Sequence, residues 1–305
     1  MKRHPERVVT WRGLLEDMGK GIGVASGGHD CQETRWLLEA ASGMSLEKLT
    51  LSMDEAASPE AMTTLQEMLV RRDSGEPLQY VLGSWGFRSL DLRVDSRALI
   101  PRPETEVVVE TALVEIGASR CGSGGHGLKV ADLGTGTGAI ALSIALEGRT
   151  LVEEVWASDL SGDALDLAAL NLEGLREVAP EAAAKVRVVQ GSWYEALPEH
   201  LAGCLAVIVA NPPYVAEAQL SDLPVEVRSW EPLQALIAGP TGLESLEAVL
   251  FGAAHWLAGS GCAVVEIGAD QRDAAVEIAC EAGLDDVSVR SDLAGLPRVL
   301  VARVS

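Results

Sequence analysis

Four consecutive residues, Asn211-Pro212-Pro213-Tyr214, are equipped for chemistry that the rest of the chain would have to serve. Two successive prolines fix their own φ angles and keep the residues before them out of helix. The Asn211 side chain and the Pro212 carbonyl then stand as fixed acceptors, with the Tyr214 ring as a wall. Such a set suits a flat, weakly nucleophilic N–H2 group, an amide or an aromatic amine. An Asn-Pro turn that merely ends a strand reads the same way, so the tetrapeptide needs company. Company comes from Gly134-Thr135-Gly136-Thr137-Gly138, a turn whose glycines let backbone approach a ligand with no Cβ in the way. It also comes from Asp159, about twenty residues past the last of those glycines, a position from which a carboxylate reaches ribose hydroxyls.

These groups need elements to hold them. The apolar run 205–210 before the tetrapeptide reads as a buried parallel strand, and 128–133 reads as another, followed by the glycine turn and a helix from 139 to 146. A strand at 155–158 ends at Asp159. A helix over 163–173, a strand over 186–190, a helix over 243–257, a strand over 263–267 and a helix over 271–282 follow. Strand-like runs at 287–289 and 299–302 close the chain. Alternating strands and helices predict an α/β fold with a doubly wound sheet, in which ligands bind outside the carboxyl ends of the strands. Upstream, residues 1–75 read as a small helical domain whose first ~28 residues, rich in glycine, are loosely ordered. Asp30 caps a helix carrying Trp36, Leu37, Leu38 and Ala41, and Ser58-Pro59 opens a second one. Residues 76–100 read as a β-hairpin linker, and 101–305 as the catalytic domain. Residues 119–127 form a glycine-rich loop.

Composition narrows the class. The formal charge is −21, most of it in residues 76–305, which hold 33 Asp/Glu against 15 Lys/Arg. A field of that sign repels a phosphate backbone, so direct nucleic-acid binding is not expected. No apolar run approaches a membrane span and the basic start lacks the apolar stretch of a secretion signal, which leads us to expect a cytoplasmic protein. Five scattered cysteines without Cys-x-x-Cys spacing signal neither a metal site nor disulfides, and several sit in apolar surroundings as small core residues.

Gly134-x-Gly136-x-x-Ala139 also satisfies the dinucleotide fingerprint, so a nicotinamide cofactor has to be weighed. Asp159 says adenosine more than it says NAD. Hydride transfer has no use for a proline-locked carboxamide, whereas methyl transfer from S-adenosylmethionine onto a planar nitrogen does. The glycine turn with the Asn-Pro-Pro-Tyr stretch resembles Rossmann-like class I methyltransferases acting on amide or exocyclic nitrogens. Further stretches resemble the PrmC/HemK family of release factor glutamine N5-methyltransferases: Glu76-Pro77-Leu78-Gln79-Tyr80-Val81-Leu82-Gly83, residues 99–106, Val227-Arg228-Ser229-Trp230-Glu231-Pro232 and Val265-Glu266-Ile267-Gly268. The resemblance runs from about Asp30 to Arg303.

It implies a substrate glutamine in the Gly-Gly-Gln loop of peptide chain release factors, recognised with help from the helical domain. It further implies that residues Gly134 to Gly138 line the cofactor's methionine end, Asp159 its ribose and Trp193 its adenine. Asn211, Pro212, Pro213 and Tyr214 then grip the substrate amide, with Asn211 also touching cofactor. Family members often carry Asp just before that aromatic; here Ser192 stands in its place. The rivals are a methyltransferase for a ribosomal-protein glutamine, one for nucleic-acid adenine N6, and a non-catalytic cofactor-binding partner protein.

Overall fold

Hydroxyl caps start three helices of the N-terminal unit. Thr10, Ser45 and Ser58, each in extended backbone, accept the N–H of Gly13, Lys48 and Ala61 at 3.3, 3.4 and 3.1 Å. They open α1 (Trp11–Gly19), α3 (Leu46–Leu51) and α4 (Pro59–Asp73), with α2 (Cys31–Ser42) between and α5 (Leu78–Leu82) last. The structure is a computed structural model that describes residues 9–20, 31–119, 127–148 and 150–304. Two units make it up, Met1–Gly83 and Ser84–Ser305.

The glycine-rich start reads as loose, yet Trp11–Gly19 are helical. The reason is burial: Trp11 and Met18 pack with Leu37, Leu38, Leu49, Leu65 and Met68 in one core. Residues 1–8, 21–30 and 120–126 lie outside the described residues, so the remainder of the loose start, the Asp30 cap and most of the 119–127 loop do too. Trp36, expected on the buried stripe of α2, is exposed, because Leu37 and Leu38 take the inward face. Residues 78–82 are not hairpin but helix. Val81 joins the helical core, and Arg71 caps the Tyr80 and Val81 carbonyls at 2.8 and 3.2 Å.

The second unit opens with an antiparallel hairpin, β1 (Ser84–Phe87) and β2 (Leu90–Arg93). Arg88 turns it at φ 50°, a left-handed value rare for a side-chain-bearing residue. Three carboxylates hold it there: Glu106 accepts the Arg88 N–H at 3.0 Å, and the guanidinium meets Glu147 at 2.6 Å and Glu110 at 3.2 Å. Next come α6 (Thr105–Ser119), β3 (Leu128–Leu133), α7 (Ala139–Glu147), β4 (Val152–Asp159), α8 (Gly162–Val178), α9 (Pro180–Ala183), β5 (Val186–Gln190) and β6 (Leu205–Ala210). Short parallel strands β7 (Val215–Ala216) and β8 (Ile237–Gly239) flank α10 (Val225–Trp230). The chain ends with α11 (Glu244–Trp256), β9 (Leu257–Glu266), α12 (Arg272–Glu281), β10 (Asp285–Ser291) and β11 (Pro297–Arg303).

Seven strands form one sheet in the order β10-β11-β9-β6-β3-β4-β5, all running the same way except β11, which is antiparallel to both its neighbours. All six residues of β6 are buried, and from Val207 onward they divide by period two. Val207 and Val209 face Val108, Ile140 and Ile144 of α6 and α7, while Ile208 and Ala210 face Val249, Ala253 and Ala275 of α11 and α12. Each such buried valine or isoleucine contributes about 1.5–3 kcal/mol. Strand order reverses at β3, with β4 and β5 on one side and β6 on the other, which opens a crevice at the carboxyl edge. Register aligns that edge. Leu133 lies beside both Ser158 and Ala210, and Ala210 beside Val265. Asp159, Gly134, Asn211 and Glu266 therefore come next, as a row across four strands. Among the described residues no helix is long and apolar enough to cross a membrane. Cys262 is buried, as expected of a small core residue; Cys204 and Cys280 are exposed.

Candidate active site

Above that row lies a cavity of about 310 Å3. Of the residues singled out in the sequence, Gly134, Thr135, Gly136, Thr137, Asp159, Ser192, Trp193, Asn211 and Pro213 line it. Gly138, Pro212 and Tyr214 do not. Gly138 has φ +85°, and a Cβ there would come within 3.2 Å of Leu142, so its place is in the packing under α7. Pro212 is buried, and Tyr214 stands behind the rim, half-buried.

The turn after β3 is a built feature. Gly134 and Gly136 have φ +75° and +56°, which only glycine adopts at little cost. Asp132 is buried at the strand's end. One of its oxygens takes the Thr135 hydroxyl at 2.6 Å and the Ala141 N–H at 3.1 Å, pinning the turn to the first residues of α7. Burial pushes this carboxyl up to about 7, and negative Asp159 adds to the rise. Its other oxygen has no partner among the described residues. Asn171 of α8 ties the hairpin to the same turn, donating to the Arg93 and Thr137 carbonyls at 3.1 and 2.8 Å and accepting from the Arg93 N–H at 2.7 Å.

Asp159 accepts the Gly136 N–H on one oxygen and the Ser161 N–H on the other, both at 2.9 Å. Both oxygens keep lone pairs for hydroxyl donors. Trp193 follows β5 at φ 45°, a strained value that costs about 1–3 kcal/mol and turns its ring toward Gly134. A Cβ on Gly134 would meet that ring at 3.5 Å. A flat aromatic wall, a diol acceptor, a bare-backbone turn and the apolar Ala98, Leu160 and Ala164 fit an adenosine-bearing cofactor.

The β6 side of the cavity is different in kind. Asn211 donates from Nδ2 to the Thr105 hydroxyl at 3.2 Å, and Thr105 donates to Glu266 at 2.7 Å. No described residue donates to Asn211 Oδ1 or to the Pro212 carbonyl. The Tyr214 carbonyl accepts Gln271 Nε2 at 3.0 Å, and Gln271 also spans Gly242 O at 2.9 Å and Gly268 N at 2.9 Å. Burial first, then negative Glu266, pushes the Tyr214 phenol up. One wall is the 98–101 segment, held by Glu231, which takes the Ile100 N–H at 3.2 Å and pairs with Arg102. Thr105, Glu231 and Glu266 sit inside stretches that look like motifs in the sequence, but nothing in their spacing says that they meet. Gln271 has no sequence signal at all. The arrangement offers one unengaged oxygen acceptor, Asn211 Oδ1, on the lining of the cavity and a second, the Pro212 carbonyl, on the next residue.

Comparison with known proteins adds the following. The PrmC N-terminal domain model matches residues 22–83, and the methyltransferase small domain model matches 118–226. The release factor glutamine methyltransferase of Geobacter sulfurreducens is 33% identical over 299 residues, spanning 98% of this chain and 96% of its own length. That of Moorella thermoacetica is 38% identical over 271 residues, 88% of this chain and 90% of its own. That of Cereibacter sphaeroides is 36% identical over 273 residues, covering 90% and 91%.

Proposed function

We propose, on the premise that this chain belongs to the release factor glutamine methyltransferase family, that it methylates the side-chain amide nitrogen (N5) of a glutamine. The methyl donor is S-adenosylmethionine, and the glutamine is that of the Gly-Gly-Gln loop of peptide chain release factors. One observation carries the reading: Asn211, on the lining of the cavity, keeps Oδ1 unengaged while its Nδ2 is tied to Thr105.

When bound, the cofactor supplies a methyl group activated by attachment to a positively charged sulfur. Everything else falls to the chain. An amide nitrogen is a poor nucleophile because its lone pair is delocalised into the carbonyl. Holding it in line with its target gains about 7–11 kcal/mol over free encounter. Asn211 Oδ1 and the Pro212 carbonyl accept the two amide N–H bonds. Those contacts turn the lone pair toward the cavity and stabilise positive charge as it grows on nitrogen. Tyr214 backs the amide plane, with Pro213 beside it.

On the cofactor side, Asp159 takes the ribose hydroxyls and Trp193 covers the adenine, with Ser192 next to it. Gly134 to Thr137 receive the methionine end. The helical unit, residues 1–75 in the sequence reading, recognises the release factor, and the enzyme works in the cytoplasm, where its substrate is. Net charge of −21 supports a protein substrate over DNA or RNA. Incubation with purified release factors and S-adenosylmethionine, followed by mass spectrometry of the Gly-Gly-Gln peptide, tests the reading. A single methyl-mass increase on the glutamine is expected; an unmodified peptide alongside methylated nucleic acid would reject it.

A further inference from the structure

We propose that Thr105 and Glu266 are positioning residues that decide which end of the Asn211 carboxamide faces the substrate. The inference rests on the proposed amide-methylating reading and assigns a task within it to two side chains that act through Asn211 rather than on the reacting atoms.

A carboxamide is nearly symmetric in shape but opposite in function at its two ends. With Oδ1 outward, Asn211 accepts the N–H of a substrate amide. With Nδ2 outward, it presents a donor to a donor and the site fails. Prolines at 212 and 213 stiffen the backbone but have no hold on the last torsion of the Asn211 side chain. Something must break the symmetry.

Thr105 is that element. It is the first residue of α6, 4% exposed, and its hydroxyl lies within hydrogen-bond reach of both Asn211 and Glu266. A hydroxyl has one proton. Glu266, 1% exposed at the end of β9, takes that proton when ionised, because a carboxylate only accepts. The Thr105 oxygen is then left as an acceptor, and only the Nδ2 end of Asn211 satisfies it. Oδ1 is thereby turned outward. Protonated Glu266 reverses the logic: it donates to Thr105, whose proton then points at Asn211 and selects Oδ1.

Glu266 is poised for that choice. Burial pushes its carboxyl up to about 7, opposed by the Thr105 hydrogen bond and by positive Arg298 and Arg102, and aided by negative Glu104. Tyr214, a further titratable neighbour, stays neutral across this range because its own phenol is pushed up. Arg298 is anchored elsewhere, on Asp292 and the Ile267 carbonyl, and Arg102 on Glu231. Neither anchor displaces Thr105 from Glu266.

The test uses the full-length protein with a purified release factor. Thr105→Val keeps the shape and deletes the hydroxyl; Thr105→Ser keeps the hydroxyl and trims the shape. Thr105→Val should lower kcat by about tenfold or more, the loss of one oriented hydrogen bond of about 1.5 kcal/mol. KM for the release factor and the calorimetric affinity for S-adenosylmethionine should stay put, and Thr105→Ser should recover most of the rate. The wild-type kcat should rise with pH through about 7 as Glu266 ionises, and Glu266→Gln should abolish that limb.

A readout independent of turnover follows the Asn211 side-chain N–H2 signals in the 15N-labelled protein. They should shift with the same midpoint in the wild type and not in Glu266→Gln or Thr105→Val. Wild-type kcat in Thr105→Val, or a serine variant as slow as the valine one, overturns the assignment. So do Asn211 signals indifferent to pH. A wild-type protein whose Asn211 signals titrate but which leaves every release factor unmodified upholds the switch and rejects the substrate reading instead.

Discussion

Removing the Asp159 carboxylate should separate cofactor binding from everything else. Its two oxygens accept the Gly136 and Ser161 N–H groups at 2.9 Å each, and both donors line the cavity. In Asp159→Ala those donors face open space that water fills, so folding stability should drop by about 1 kcal/mol, the size of an ordinary hydrogen-bond loss. Cofactor loses more. A hydrogen bond to a charged acceptor contributes about 1.5–3 kcal/mol, which converts to about a 10- to 150-fold rise in Kd. Freeing Gly136 from its anchor adds to the loss, since the turn at φ +56° must then be re-formed on binding. Isothermal titration calorimetry with S-adenosylmethionine reads the first quantity and urea unfolding the second. At saturating cofactor, kcat should be largely retained. A Kd within about twofold of the wild type, with the protein folded, would refute the ribose assignment.

Asn211→Ala should do the opposite, cutting kcat by about 10²–10³-fold through loss of an acceptor aimed at developing charge, while calorimetry finds cofactor affinity nearly intact. A collapse of that affinity instead would reject its role. Gly252→Ala should destabilise the fold by about 1–3 kcal/mol in urea, because the new Cβ would sit 2.3 Å from the Tyr194 ring. That ring is fixed by stacking on Trp256 and by its hydroxyl donating to Val249 O, so Trp193 next to it should move and cofactor affinity fall as well. Glu266 also predicts a pH dependence of stability. Its folded value is raised from 4.5 to about 7, so its stabilising effect is complete below the lower value and lost as pH climbs through the upper one. Urea midpoints of Glu266→Gln should therefore decline less than those of the wild type across that window; equal slopes would count against the burial argument.

The sheet was legible because its evidence is local. Six apolar residues in a row at 205–210, ended by prolines, read as a strand with both faces covered, and that is what they are. Glycine spacing at 134 and 136 likewise announces positive φ. Gly138 shows the limit of such reading: the same spacing serves helix packing there, since Leu142 and Ala168 occupy the space. The N-terminal helix α1 was hidden by the glycines that follow it, and only tertiary burial of Trp11 and Met18 explains it. Thr105 and Asn211 lie 106 residues apart, and Thr105 and Glu266 161 apart. Their meeting is a product of strand order and register, which place β9 beside β6 and α6 over both. No window of sequence contains that information.

Both ends of the tetrapeptide are tied to the same part of the fold. Asn211 reaches Glu266, the last residue of β9, through Thr105, and the Tyr214 carbonyl is held by Gln271, which itself caps the Gly268 N–H just beyond β9. Prolines account for the stiffness of residues 211–214 but not for their heading, because a rigid turn on a free strand end could point anywhere. The heading comes from β9, which pairs with β6 over Val207 to Ala210 and so moves with it as one body. A carboxamide held this way loses little freedom on meeting its substrate. Binding energy that a looser loop would spend on ordering itself is left to align the reacting nitrogen.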